Sequence, residues 1–311
     1  MTDIQMDRMI AALEQTNRER IRLLSSQEMS DGLRLQRMKK ELRSANLKML
    51  WNHFAIRCFR GKIHTKGAQY NLEPFTEKRL ARQGSKELRV AIYTCVTGGY
   101  DMPMAPFFAF DTCDYFLFCE QEADGWTRQA IPEKLSKMND LAWVNRYIKL
   151  HPFEFFADEY DYAIYLDGNI TPVSDLSVWA SLVDPKVGLA FHRHCSRCSL
   201  KEELTACRNL KKGNPDHLRR QLASYRAQGM PDDYGLLEGN VIVTDLKSST
   251  ARRLTDQCWR EFVKRAGGRD QLVWPYIFWK SQIPMERVCT LGNNVWRNSK
   301  LFISSHAQTE S

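Results

Sequence analysis

From residue 89 onward the chain is patterned as an α/β domain with a mixed, mainly parallel sheet flanked by helices, set behind an N-terminal helical extension. Apolar runs of strand length recur there, and several end in clusters of Gly, Asp, Asn or Thr. Stretches of helical period separate some of these runs, the alternation expected of a sheet with parallel strands. The first 88 residues are basic and look helical or irregular instead.

Taken in order, residues 4–26 read as a helix, with Met6, Met9, Ile10, Leu13, Ile21 and Leu24 marking a stripe. A second helix is expected from about Leu33 to Arg60, without the clean heptads a coiled coil needs. Residues 61–88 read as a polar connector. The expected division is therefore a helical extension over 1–60, a connector over 61–88 and the α/β domain over 89–311. Strands are expected over Leu88–Val96, Asp114–Cys119, Asp161–Leu166, Val187–His192 and Gly239–Thr244. Helices are expected over Lys137–Phe156, interrupted near Pro152, and over Thr250–Arg265.

The 311 residues suffice for one sizeable catalytic domain plus an extension. No run of about 18 apolar residues occurs, so no spanning helix is expected. The start, Met1-Thr2-Asp3-Ile4, lacks the basic and then apolar regions of a signal peptide. Nine irregularly spaced cysteines suggest free thiols in a reducing cytosol. The expected location is cytoplasmic, peripheral on the inner face of a membrane. The net charge of +8 is uneven: residues 1–90 hold 19 Lys/Arg and 10 Asp/Glu, while the rest is nearly balanced. Residues 32–66 would meet an anionic membrane surface or form a solvated basic helix, and residues 4–50 would serve a homo-oligomer. Trp51, Phe54, Ile56 and Phe59 would lie on that surface or pack on the catalytic domain. No nucleic acid partner is expected.

The candidate chemistry sits where strands end. Tyr165-Leu166-Asp167-Gly168-Asn169 closes an apolar run with a carboxylate and an amide two residues apart, at the kind of strand end where α/β sheets bind ligands. Asp167 and Asn169 offer oxygen ligands suited to Mg²⁺ or Mn²⁺, which would hold a diphosphate. The first strand ends in Thr97-Gly98-Gly99-Tyr100-Asp101. Its glycines admit close backbone approach, Tyr100 would stack on a base and Asp101 would accept from it. Arg146 and Lys149 share a helical face and would neutralise a diphosphate or a sugar acid. His192 and Arg193 follow a strand and would reach the sugar or the leaving phosphate. Cys195 and Cys198 have zinc spacing, which His192, His194 or Cys207 would complete, with a substrate loop as the alternative. Glu238 would contact acceptor hydroxyls, act as a base or stabilise positive charge at an anomeric carbon. Asp270 would bind a sugar hydroxyl or serve as the base.

In this order the segments Val96–Asp101, Arg146–His151, Tyr165–Asn169, His192-Arg193, Glu238-Gly239-Asn240 and Arg269-Asp270-Gln271 resemble the glycosyltransferase-like family once called domain of unknown function 616. That family occurs in plant mucilage and pectin proteins and in bacterial polysaccharide clusters. The likeness covers about residues 89–282, with a more distant similarity to family 8 glycosyltransferases. It implies a GT-A-like fold and a nucleotide-diphosphate donor, most often a UDP-sugar, with Thr97, Gly98, Tyr100 and Asp101 near the nucleoside. It further implies Asp167 at the metal, Asp270 with Gln271 at the sugar, and Asn240 in the donor site. The acceptor would be a growing surface polysaccharide or a lipid-linked saccharide, and no organic cofactor is expected. Asn169 departs from the carboxylate of the family 8 pattern, which bears on metal use. His306 would be a further ligand by the same likeness. Two other readings compete: a nucleotidyltransferase or sugar-nucleotide hydrolase, and a catalytically degenerate scaffold working through its helical arm.

Overall fold

The computed structural model describes residues 10–21, 88–101, 103–136, 140–209, 213–265 and 269–304. The expectations for a second helix, the connector, the basic stretch 32–66 and His306 lie outside the described residues, as does most of 4–50.

The strands are β1 (Val90–Cys95), β2 (Cys113–Phe118), β3 (Thr127–Gln129), β4 (Tyr162–Leu166), β5 (Ile170–Pro172), β6 (Leu189–Arg193), β7 (Leu237–Asp245) and β8 (Leu301–Ile303). Six of them form one sheet in the order β3-β2-β1-β4-β7-β6, while β5 and β8 pair in a separate antiparallel ribbon. The four strands from β3 to β4 run parallel. β7 runs antiparallel between β4 and β6. The sheet is thus mixed and mainly parallel, with β7 running against the other five strands. That reversal brings the start of β7 to the same edge as the ends of β1, β4 and β6.

Central strands of such a sheet are buried on both faces and read as continuous apolar runs. All six residues of β1 are buried. Ala91, Tyr93 and Cys95 enter one core with Ile148, Phe156, Tyr165, Phe191, Trp274 and Phe278. Val90 and Ile92 enter the other, with Leu117, Ile164, Trp179, Val241 and Val243.

The helices are α1 (residues 10–21), α2 (Glu133–Ser136), α3 (Leu141–Leu150), α4 (Pro152–Phe156), α5 (Leu200–Asn209), α6 (Pro215–Ala227), α7 (Ser249–Lys264), α8 (Asp270–Lys280) and α9 (Met285–Val288). The break expected near Pro152 separates α3 from α4. Asp140 caps α3 by accepting from the Ala142 N–H at 2.9 Å. Ser248 caps α7 through the Ala251 N–H. α8 was not anticipated from the pattern. Its first nine residues, Asp270 to Phe278, are all buried, so it shows no polar face.

α1 does not stand apart from the α/β domain. Its Asn17 side chain donates to the backbone carbonyls of Ser299 and Leu301 at 2.8 and 3.0 Å. Lys300 Nζ meets Glu14 Oε1 at 2.7 Å, with both side chains buried. The Arg20 guanidinium lies over the Phe302 ring. Residues 10–21, part of the expected extension, are packed on the domain they precede in sequence. No helix among the described residues is long and apolar enough to cross a membrane.

Candidate active site

Strand ends and helix starts converge at the edge where β1 and β4 finish. Gly168 lets them approach: a Cβ there would lie 2.5 Å from Val96 Cγ2 and 3.2 Å from Asp101 Cβ. Only glycine fits, and the Asp101 side chain is brought against the Asp167-Gly168-Asn169 turn. The β1 loop is held from the other side by α3. Thr97 Oγ1 donates to the Leu141 carbonyl, and Asn145 Nδ2 donates to the Cys95 carbonyl at 2.7 Å. Gly98 has φ +65, and a Cβ on it would meet Leu141 Cδ1 at 2.5 Å. Tyr100 is exposed on this loop, at 48%.

The Asp167 N–H donates to the Asn240 carbonyl at 2.9 Å, which ties the turn to β7. Asn240 Oδ1 is buried and has no hydrogen-bond partner among the described residues. Asn169 is engaged differently from its expected role. Its Nδ2 donates to the Ser304 carbonyl at 2.9 Å, and its own carbonyl accepts from the Ser304 N–H. The amide thus fastens the turn to the chain leaving β8.

Asp270 is the most tightly paired carboxylate of the site. Arg146 Nε meets Oδ1 at 3.0 Å and Lys149 Nζ meets Oδ2 at 2.6 Å. Burial would raise the Asp270 pKa, but Arg146 and Lys149 outweigh it and hold the carboxyl well below the usual range. Burial likewise opposes charge on Arg146, yet Asp270, Tyr165 and Asp167 raise its pKa above the ordinary value. A carboxylate held this way is a poor proton acceptor and suits charge pairing. Lys149 is only 3% exposed at its side chain, against 28% for Arg146, so only Arg146 keeps a face toward a ligand. Gln271 donates to the Leu237 carbonyl and accepts from Arg269.

Glu238 has the opposite surroundings. Burial pushes its pKa up to about 7; Arg197 and Arg269 pull it down, while Glu203 and Asp167 push it further up. His194 lies beside it, with Nε2 3.4 Å from Oε1. His194 Nδ1 accepts the backbone N–H groups of Ser196 and Arg197 at 3.1 and 3.0 Å. A ring nitrogen that accepts two N–H bonds carries no proton, so Nε2 carries it and faces Glu238. Burial, with Arg197 and Arg269 nearby, lowers the His194 pKa to about 3, consistent with a neutral ring.

His194, Cys195 and Glu238 stand close enough to suggest a metal cluster. The tautomer argues against one. A ligating histidine normally donates its second ring N–H, whereas this Nδ1 accepts. The three cysteines do not gather either: Cys207 is buried with its thiol on Glu203, and Cys198 is exposed beside Glu202.

His192 and Arg193 are both engaged within the protein. His192 is fully buried, its Nε2 within 2.9 Å of Asn298 Nδ2 and its ring edge-on to Trp179. Arg193 pairs with Glu286 at the surface. Sequence reasoning missed Arg197 and Glu203, and offered His194 only as a zinc ligand. Glu203 is buried and joins Arg197 at 2.6 Å to Arg269 at 3.3 Å. Its one visible signal was an acid in the first turn of an amphipathic helix, close behind the His/Cys/Arg cluster.

The family described as "TOD1/MUCI70, glycosyltransferase-like domain" matches residues 148–306, half of the chain. The chain belongs to this family. The match runs from α3 to just past β8 and so contains Lys149, Asp167, Glu238 and Asp270. Among solved structures, the galactosyltransferase LgtC in complex with donor and acceptor sugar analogues is 16% identical, with TM-score 0.36 over 60% of this chain and 70% of that one. Mouse xyloside xylosyltransferase 1 is 10% identical, with TM-score 0.38 over 65% and 83%. The bifunctional glycosyltransferase WbbM is 13% identical, with TM-score 0.40 over 68% and 40%. No curated protein sequence matches the chain.

Proposed function

We propose that this protein transfers a sugar from a nucleoside-diphosphate donor, a UDP-sugar, to a saccharide acceptor. The observation that carries the reading is the convergence of Asp101, Asp167, Arg146 and Glu238 at one sheet edge, in a chain of a glycosyltransferase-like family. Two carboxylates, Asp101 and Asp167, suit a hard divalent cation, and Asn240, whose carbonyl accepts from the Asp167 N–H, has an orphaned Oδ1. Asp167 would hold Mg²⁺ or Mn²⁺, and the bound cation would neutralise the leaving diphosphate. Arg146 would add positive charge on the same side, oriented by Asp270. Tyr100 offers an exposed ring to the base, with Asp101 beside it. Glu238, steadied by His194, faces the saccharide hydroxyls.

A thermal-shift series with UDP-, GDP-, CMP- and dTDP-sugars, with and without Mn²⁺, tests this. A ligand that binds only the native state raises the melting temperature. The expected result is Mn²⁺-dependent stabilisation by UDP-sugars that disappears in Asp167→Ala, whose own melting temperature stays near wild type. No stabilisation by any nucleotide would overturn the reading.

A further inference from the structure

The ribbon of β5 and β8 has only two strands of three residues, and such a pair is marginal in isolation. It nevertheless leads directly into the Asp167-Gly168-Asn169 turn. Ile170 pairs with Ile303, and Ser304 and Asn169 exchange backbone and side-chain hydrogen bonds at 2.9 to 3.3 Å. What steadies β8 from outside is α1. The two Asn17 bonds grip the carbonyls on either side of Lys300, and the Lys300 ammonium is buried between Glu14 and Ser174, at 2.7 and 3.2 Å. Ser174 lies just beyond β5, so this cation joins α1, β8 and the β5 side in one knot.

A buried ammonium without its carboxylate is unfavourable. Undocking α1 would leave Lys300 with Ser174 alone of these two partners, and the chain entering β8 would lose the two Asn17 hydrogen bonds, at Ser299 and Leu301. A short route leads from there to the turn, through three ladder pairs and the Asn169–Ser304 exchange.

We infer that the helix of residues 10–21 is a positioning element for the Asp167–Asn169 turn, acting through β8 and Ser304. For its ligand consequence this rests on the nucleotide reading above. It gives the amino-terminal segment a task inside the catalytic domain, although the segment lies outside the family match at 148–306.

The test uses the full chain with Asn17→Ala, which keeps the buried ion pair and removes both bonds to the 299–301 segment that enters β8. Two quantities are measured well below the melting temperature: hydrogen exchange of the Ile170, Ile303 and Ser304 amides, and affinity for UDP with Mn²⁺ by calorimetry. The control is Leu254→Val, a core change on α7 away from the ribbon. Asn17→Ala should speed exchange at Ser304 and weaken UDP–Mn²⁺ binding about fivefold or more, the lower range of ordinary site-to-site coupling. Leu254→Val should lower the melting temperature without either effect. Unchanged Ser304 exchange in Asn17→Ala would overturn the inference, as would equal weakening in the control. If wild type fails to bind UDP–Mn²⁺ while Asn17→Ala still speeds exchange at Ser304, the nucleotide reading falls and the coupling to the turn stands.

Discussion

Asp270, at the start of α8, and Glu238, near the start of β7, are carboxylates of one crevice in opposite surroundings. Asp270 meets two cations at 3.0 Å or less. Glu238 faces a neutral imidazole N–H at 3.4 Å, and its cations, Arg197 and Arg269, are largely committed to Glu203. Both are buried, so desolvation acts on each in the same direction. What differs is whether a cation lies in direct contact. The outcome is one acid fixed in its charged form and another able to gain or lose a proton near neutrality. Environments that drive two acids apart assign them different work. Asp270 suits orienting Arg146, and Glu238 suits hydrogen bonding that changes with proton occupancy.

The most damaging way to break this contrast is Asp270→Asn. It leaves Arg146 and Lys149 buried against a neutral amide, and removing one member of a buried charge cluster destabilises by about 3–5 kcal/mol. Chemical denaturation should show that loss at pH 7. A loss below about 1 kcal/mol would mean the cations relax to solvent and the pairing is weak.

Glu238→Gln should act in the opposite direction, and only at high pH. A carboxyl with its pKa raised on folding contributes stability that is complete below the unfolded value, and that contribution is lost as pH rises through the folded value. For a group brought from the ordinary range to about 7, the loss amounts to about 3 kcal/mol above pH 8. Glutamine keeps the shape of the protonated acid and does not ionise. The variant should therefore match wild type near pH 4 and exceed it at pH 8 or above. Equal stability across that range would show that Glu238 ionises freely and that the two acids are alike.

The sequence made some of this contrast legible. The β4 end at Asp167 and the β1 loop at Thr97–Asp101 were visible because abrupt changes from apolar to turn residues mark strand ends, and both sit at the site. Arg146 was visible from helical spacing. The partner of each charge was not, because partners come from distant segments: Asp270 lies 124 residues beyond Arg146. His194 was visible only as a zinc candidate, and its place beside Glu238 was hidden, since alternation along β6 does not reveal the irregular register at Phe191/His192. Glu14 and Asn17 were missed for a related reason. They lie on the buried face of α1, between Ile10, Leu13 and Ile21, where a search for apolar residues passes over polar ones. The β5–β8 ribbon has strands too short to show a period.

The smallest effect expected belongs to Arg193, next to His194 in sequence, and it sharpens what burial contributes. The Arg193–Glu286 pair spans 3.1 Å, comparable to the Arg146–Asp270 contact, but its side chains are 35% and 73% exposed. Solvent screens such a pair, and exposed ion pairs are worth about 0–1 kcal/mol. Arg193→Ala should therefore change stability by less than about 1 kcal/mol and leave UDP–Mn²⁺ affinity within about twofold of wild type, since the pair points away from the Gly168 turn toward α9. Setting its denaturation curve beside that of Asp270→Asn compares two ion pairs of nearly equal length that differ mainly in access to water. A tenfold loss of nucleotide affinity in Arg193→Ala would instead place this guanidinium on the donor in solution, with Glu286 released to solvent when the ligand binds.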